Sequence, residues 1–427
     1  MLTVKNNYLY ENNKPFFWLG DTAWLLAENM EMNDIIKYLK NRKSLGFNVI
    51  QMVLFYTMPN DEKLKETMPV EGKNIYSASY FEFVNKIFKC CKELGIYIAL
   101  LPTWGSFVKN KIVDTKDVDI FAKFLVKTFS HNDNLIWVLG GDVRGDANIN
   151  YFNQMGTKLK ELDKDHLVTF HPFGRTLSAR WFNEEKWLDF NMFQSGHIRY
   201  DQERLKYWDE IPDVYYGEDS WRYVEENFSY DTKKPCLDAE PSYEGVVQGL
   251  HDDNEPYWEA CDIRRYAYWS IFAGACGYTY GNNAIIQFYT PDMGKGAYGV
   301  RESWQTGLHS EGGAQLQYLK SLFESVNYTS GRNRNDLLIS PQHERYHRVS
   351  IFAGADFLFV YNYMGDEYTI SLEEYINDKM DAYWMNPQNG SLSYIDTYNG
   401  VSQITLRPTR RHEKSNDWVL VLKRNNN

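Results

Sequence analysis

A chain of 427 residues has room for two domains, because an α/β barrel runs to about 250 residues or more in one piece. Its composition, 43% hydrophobic and 24% charged, excludes a disordered or collagenous chain, and a formal net charge of −11 argues against a surface that grips nucleic acid. No stretch approaches the roughly 18 consecutive apolar residues that cross a bilayer, so no membrane partner is expected. Residues 1–10 have no charged segment followed by an apolar run, which places the chain as it stands in the cytoplasm, or in the periplasm or outside the cell if a leader has been trimmed.

From the N-terminus, short β-type runs alternate with longer segments of helical period, the grammar of βα units. Eight strand candidates fall at 16–20, 48–54, 97–102, 135–140, 167–171, 190–194, 235–240 and 277–281. Helix candidates lie between them at 32–45, 79–94, 117–130, 151–163, 180–186, 201–208 and 258–273, with a last one at 314–325. Gly46 and Gly95 stand where a helix should stop before the next strand. The fold class is therefore α/β: a (β/α)8 TIM barrel over 1–328. After Asn327 the pattern changes to short strands at 348–353, 357–363, 368–372, 381–385, 400–406 and 418–422, separated by turns such as Asn389-Gly390. That reads as a small all-β sandwich domain over 329–427.

The five cysteines contain no C-x-x-C pair and read as reduced thiols, not as a disulfide framework or zinc ribbon. Aromatic residues reach 16%, and their flat faces suit sugars as well as cores.

Barrel chemistry sits at the C-terminal ends of the strands, so polar residues there are the candidates. Strand 4 ends in Gly140-Gly141-Asp142 and strand 7 in Asp238-Ala239-Glu240-Pro241. Two carboxylates three strands apart can flank one glycosidic bond, one donating a proton to the leaving oxygen and the other acting as nucleophile or base. The competing reading of Asp142 is a helix N-cap. For Glu240 the following Pro241 weakens that alternative. Alternation puts Asp238 on the same side as Glu240 but deeper, in a supporting role. Candidate substrate-binding residues at the other strand ends are Asp21, Trp24, Trp104, His171, Gln194, His197 and Asn282, although Asp21 also reads as a cap and Trp24 as core.

His343-Glu344-Arg345-Tyr346-His347 spells H-E-x-x-H, a zinc peptidase site only when it lies on a helix. Pro341 before it and a strand after it argue against a helix, so no metal is expected. No Walker loop or nucleophile elbow is present.

Four segments resemble the apiosidase-like barrel proteins, glycoside hydrolase family 140: the run from Phe16 to Trp24, Trp137-Val138-Leu139-Gly140-Gly141-Asp142, the run from Asp189 to His197, and Glu240-Pro241-Ser242-Tyr243-Glu244. The tail resembles that family's C-terminal β domain, which carries a collagen-binding label, through the run from Ala382 to Gly390 and Asp417-Trp418-Val419-Leu420-Val421-Leu422. The resemblance implies Asp142 as acid/base and Glu240 as nucleophile of a retaining enzyme, with apiose-containing pectic oligosaccharides as substrate and no cofactor. A retaining pair should stand about 5–5.5 Å apart, with Glu240 ionised and Asp142 protonated. The alternative from another class is a barrel that binds carbohydrate without cleaving it. The tail is expected to pack on the barrel as a structural domain, and oligomeric state is left open.

Overall fold

The computed structural model describes residues 1–56, 78–202, 216–408 and 415–425. An antiparallel meander comes first, β1 Leu2–Lys5, β2 Tyr8–Glu11 and β3 Lys14–Phe16, which the periodicity did not announce. Phe16 packs edge-on against Tyr97 at the start of the third barrel strand, 5.5 Å between rings, so the meander covers the bottom of the barrel.

All eight expected barrel strands are present: β4 Trp18–Thr22, β5 Val49–Val53, β6 Tyr97–Leu101, β7 Leu135–Val143, β8 Val168–Pro172, β9 Asn191–Phe193, β10 Cys236–Asp238 and β11 Gly277–Tyr280. They pair in parallel in the order β8-β7-β6-β5-β4-β11-β10-β9. The seam between β8 and β9 is stitched by Asp189, whose N–H donates to the Val168 carbonyl (2.9 Å) and whose carboxylate accepts from the Val168 N–H (2.7 Å). A TIM barrel results. Side chains alternate as strand geometry demands. Trp18 and Thr279 point inward, the indole N–H donating to the Thr279 hydroxyl at 3.0 Å, while Asp21 and Tyr280 point outward onto Arg42 of helix Met32–Ser44.

The expected helices appear as Met32–Ser44, Ala78–Glu93, Val118–Phe129, Ile149–Leu162, Ala260–Ala273 and Glu311–Glu324, with the weak one shortened to Ala179–Phe182. The helix expected at 201–208 lies almost wholly outside the described residues; Asp201 and Gln202 are in a turn. Among the described residues, Ser220–Ser229 is a helix between β9 and β10.

The tail forms a six-stranded antiparallel sheet, ordered β12 Arg332–Asn333, β13 Val349–Ala353, β14 Phe357–Asn362, β19 Trp418–Arg424, β16 Met380–Met385 and β17 Leu392–Tyr398, faced by the pair β15 Tyr368–Ser371 and β18 Gln403–Leu406. Its central strands β13, β14 and β19 are buried almost throughout because both of their faces are covered. Leu358, Val360 and Leu420 meet Ile370 and Ile404 inside the sandwich, while Phe352, Phe359 and Tyr361 lie on the barrel. Tyr361 stacks on Tyr268 at 4.5 Å and Phe359 meets Phe323 at 5.9 Å. At the edge of this interface Arg264 makes a two-pronged pair with Asp417, Nε at 2.7 Å and Nη2 at 2.8 Å, and both residues are buried. Asp417→Ala would strand that guanidinium without its countercharge and should destabilise the chain by about 3–5 kcal/mol in urea titration.

Candidate active site

The Gly140-Gly141-Asp142 segment is a bulge. Gly140 pairs with His171 and Val143 with Pro172, so two residues of β7 oppose no step of β8. All three residues have positive φ, 94°, 94° and 50°. A Cβ on Gly140 would stand 2.2 Å from the His171 carbonyl oxygen, so only glycine fits. The bulge lifts Asp142 out of the ladder and over the barrel mouth, and Asn148, not Asp142, occupies the N-cap position of helix Ile149–Leu162. Gly140→Ala should cost about 3 kcal/mol or more through strain and overlap, and should lower activity more than stability loss explains because it re-aims Asp142; thermal melts beside kinetics at a temperature where the variant is folded separate the two.

Asp142 shares one open pocket of about 1080 Å³ with Glu240. Trp24, Trp104 and Tyr56 wall one side; Trp104 lies 5.0 Å from each of the other two rings. Gln194, Arg175, Tyr243, His251 and Tyr298 complete much of the rest. Rings arranged in this way offer apolar faces to the C–H faces of a sugar.

The two carboxyl groups are driven in opposite directions. Glu240 is buried, which alone would raise its pKa, but His197 Nε2 at 3.1 Å from Oε1 and His171 Nε2 at 3.3 Å from Oε2 win and hold it down to about 2. His171 stands off the line of a good hydrogen bond, so its contribution is mainly the close contact itself. Asp142 is raised to about 6, first by desolvation within the ringed pocket and then by the Glu240 charge, against the Gln194 amide that donates to its Oδ1 at 3.1 Å. Water reaches Asp142 through the pocket mouth, as a proton donor to a departing group requires. Behind Glu240, burial pushes Asp238 up to about 8, and its carboxyl accepts the Ser195 hydroxyl proton. It braces the start of the loop after β9 against β10.

Six of the sequence candidates besides Asp142 converge on this pocket: Glu240, Trp24, Trp104, Gln194 and His197 line it, and His171 touches Glu240 from behind. Two do not. Asp21 sits on the outward parity of β4, where Arg42 Nε and the Tyr38 hydroxyl each lie 2.6 Å from its Oδ2, and burial first of all raises its pKa. Asn282 caps helix Asn283–Ile286, accepting from the Ala284 N–H at 2.9 Å, and donates to Ser310. Tyr56, Arg175, Tyr243 and Tyr298 were not foreseen. Tyr243 was visible in the strand-7 segment, whereas Tyr298 comes from a long excursion after β11 that periodicity does not describe.

The H-E-x-x-H string is not on an α-helix. Arg345–His347 is one 3₁₀ turn, both histidines are exposed, and His347 Nδ1 pairs with Asp366 at 2.7 Å. Among the described residues no group of three or more His, Cys, Asp or Glu is arranged to hold a metal ion, and no helix is long and apolar enough to cross a membrane.

Residues 4–330 match the family "Apiosidase-like, catalytic domain" and residues 334–423 match the "Putative collagen-binding domain of a collagenase". A solved glycoside hydrolase is 36% identical over 99% of this chain and 96% of its own, with a TM-score of 0.91. A glycoside hydrolase family 5 structure from Bacteroides vulgatus is 35% identical over 99% of this chain and 93% of its own, with a TM-score of 0.92. An endo-1,4-beta-D-mannanase from Thermotoga petrophila, 15% identical over 71% of this chain and 100% of its own with a TM-score of 0.51, shares the barrel alone. No curated protein matches the sequence. Kinship of this extent sets aside the non-catalytic reading, and the chain belongs to the apiosidase-like glycoside hydrolases.

Proposed function

We propose that this enzyme is a retaining glycosidase of plant cell-wall oligosaccharides, pectic and apiose-containing chains in particular, in which Glu240 is the nucleophile and Asp142 the acid/base. One observation carries the pairing of acid with anion: two carboxyl groups in one pocket with pKa values driven apart, Glu240 down to about 2 and Asp142 up to about 6; the apiosidase kinship supports the retaining course. In the first step Glu240 attacks the anomeric carbon as Asp142 protonates the departing oxygen, giving a glycosyl ester. In the second, Asp142, now ionised, takes a proton from water, which releases the sugar with its configuration retained. Proton transfer and attack are both performed by side chains, so the scheme needs no metal or organic cofactor. The apiosidase kinship supports the substrate class, and the aromatic wall of Trp24, Trp104 and Tyr56 suits a sugar ring.

The test is a panel of pectic oligosaccharides and aryl glycosides, with proton NMR of the first-formed sugar from the best substrate. Release of apiose or a pectic sugar in the substrate's own anomeric form is expected. Inverted product would refute the retaining scheme, and activity confined to glycans unrelated to pectin would refute the substrate class.

A further inference from the structure

Two members of the His343-Glu344-Arg345-Tyr346-His347 string reach the barrel, although the string holds no metal. The Tyr346 hydroxyl donates to Glu218 Oε1 at 2.7 Å, and its ring lies 4.9 Å from the Arg265 guanidinium and 5.5 Å, edge-on, from the Tyr200 ring. The Arg345 guanidinium lies 4.8 Å over that same Tyr200 ring. Glu218 is fully buried. Its Oε1 also accepts from the Tyr200 N–H at 3.1 Å, and its Oε2 is 2.6 Å from Arg265 Nη2. Gly217 fits against Tyr200 so closely that a Cβ would stand 2.5 Å from the ring. One buried carboxylate therefore joins the tail domain, the last long helix before β11 and the loop that follows β9.

Tyr200 stands three residues after His197 on that loop. His197 is held at φ 135°, a conformation that a residue with a Cβ keeps only when its surroundings over-determine it. Part of that restraint is local: the Gly249 N–H donates to the His197 carbonyl at 2.6 Å. Barrel-side contacts add to it: Tyr243 lies edge-on 4.9 Å from the His197 ring, Arg199 pairs with Glu255 at 2.7 Å and the Tyr200 hydroxyl donates to Asp219; Tyr200 then ties the loop to the tail. The geometry points to Arg345 and Tyr346 as positioning residues for the reaction, a latch with which the tail domain fixes the 194–200 loop and, through it, the His197 ring against Glu240.

This inference rests on Glu240 acting as nucleophile. The groups facing Glu240 are Asp142 from β7, His171 from β8, Asp238 from β10, and the phenols of Tyr56, Tyr243 and Tyr298. Of its ionisable neighbours only His197 rides on the latched loop, so loosening the latch moves the Glu240 carboxyl in one direction, up towards the ordinary carboxylate range.

The experiment uses the full chain with Tyr346→Phe, which keeps the ring and deletes the bond to Glu218, and Tyr346→Ala, which deletes both. The readouts are kcat and KM against pH on the wild type's best substrate, melting curves, and the crystal structure of each variant. Tyr346→Phe should lower kcat about tenfold with KM unchanged, bring an acid limb of kcat into the working pH range where the wild type has none, and lengthen the His197–Glu240 contact beyond 3.1 Å. A lower melting temperature with no acid limb appearing in that range and the His197–Glu240 contact unmoved would show Tyr346 to be a domain-docking residue only and overturn the inference. That failure is distinct from failure of the underlying reading, in which Glu240→Ala itself would remain active. If Tyr346→Ala does not fold, the Tyr346→Phe measurements decide the matter alone.

Discussion

Glu240→Ala should lower kcat by about four orders of magnitude or more on every substrate, whatever the leaving group. No neighbour can take over the attack. Asp238 is deeper in the barrel and burial pushes its pKa up to about 8, so it is a neutral acid at pH 7; Asp142 shares the pocket, and the proposed mechanism gives it the proton donor's part. The variant should still fold, since the side chain removed lines the open pocket and the barrel strands keep their packing. Glu240→Gln, which keeps the shape, should be comparably inactive and separates loss of charge from loss of packing. Because the Glu240 charge is the second-largest cause of the raised Asp142 pKa, both variants should also lower that pKa, readable by carbon NMR of labelled aspartate.

Asp142→Ala should discriminate between substrates. Glycosides whose leaving group departs without a proton should still form the glycosyl ester, while natural oligosaccharides should be turned over about a hundredfold or more slowly. Hydrolysis of the ester also needs Asp142 as base, so the intermediate should accumulate, and added azide, which attacks without general-base help, should restore turnover and yield a glycosyl azide of retained configuration. The pH dependence follows from the directions of the two shifts. Glu240 is ionised at every pH above about 2, so it sets no limb in the working range; Asp142 holds its proton below about 6 and loses it as pH rises through that value. The wild type should therefore be active in mild acid and decline on the alkaline side near pH 6, and with activated substrates Asp142→Ala should lose that alkaline limb.

The barrel was legible because β-type runs and helical periods alternate eight times, and glycines such as Gly46 and Gly95, both at positive φ, stop the helices where the next strand must begin. Asp142 and Glu240 were legible because a barrel exposes its strand ends, and a Gly-Gly-Asp run can make the bulge that lifts a carboxylate clear of the ladder. Asp21 was misjudged because its place at a strand end was weighed without its parity: Gly20 and Thr22 take the inward positions, which leaves Asp21 for Arg42. Asn282 was misjudged because an Asn after a strand serves as readily to cap the next helix as to hold a hydroxyl. The meander strands β1–β3 were missed since each has only three or four residues, too few for alternation to register, and β17 since its residues are largely exposed. The contact between Tyr346 and Glu218 spans 128 residues of sequence, and no local pattern reports a pairing of that range.

Whether Glu240 is the nucleophile is decided by mass spectrometry of peptides from Asp142→Ala enzyme quenched during turnover of an activated aryl glycoside. One added glycosyl unit is expected on the peptide that contains Glu240, lost on incubation with azide. A glycosyl unit on any other residue, or an unmodified Glu240 peptide from an enzyme that yields inverted sugar, would contradict it.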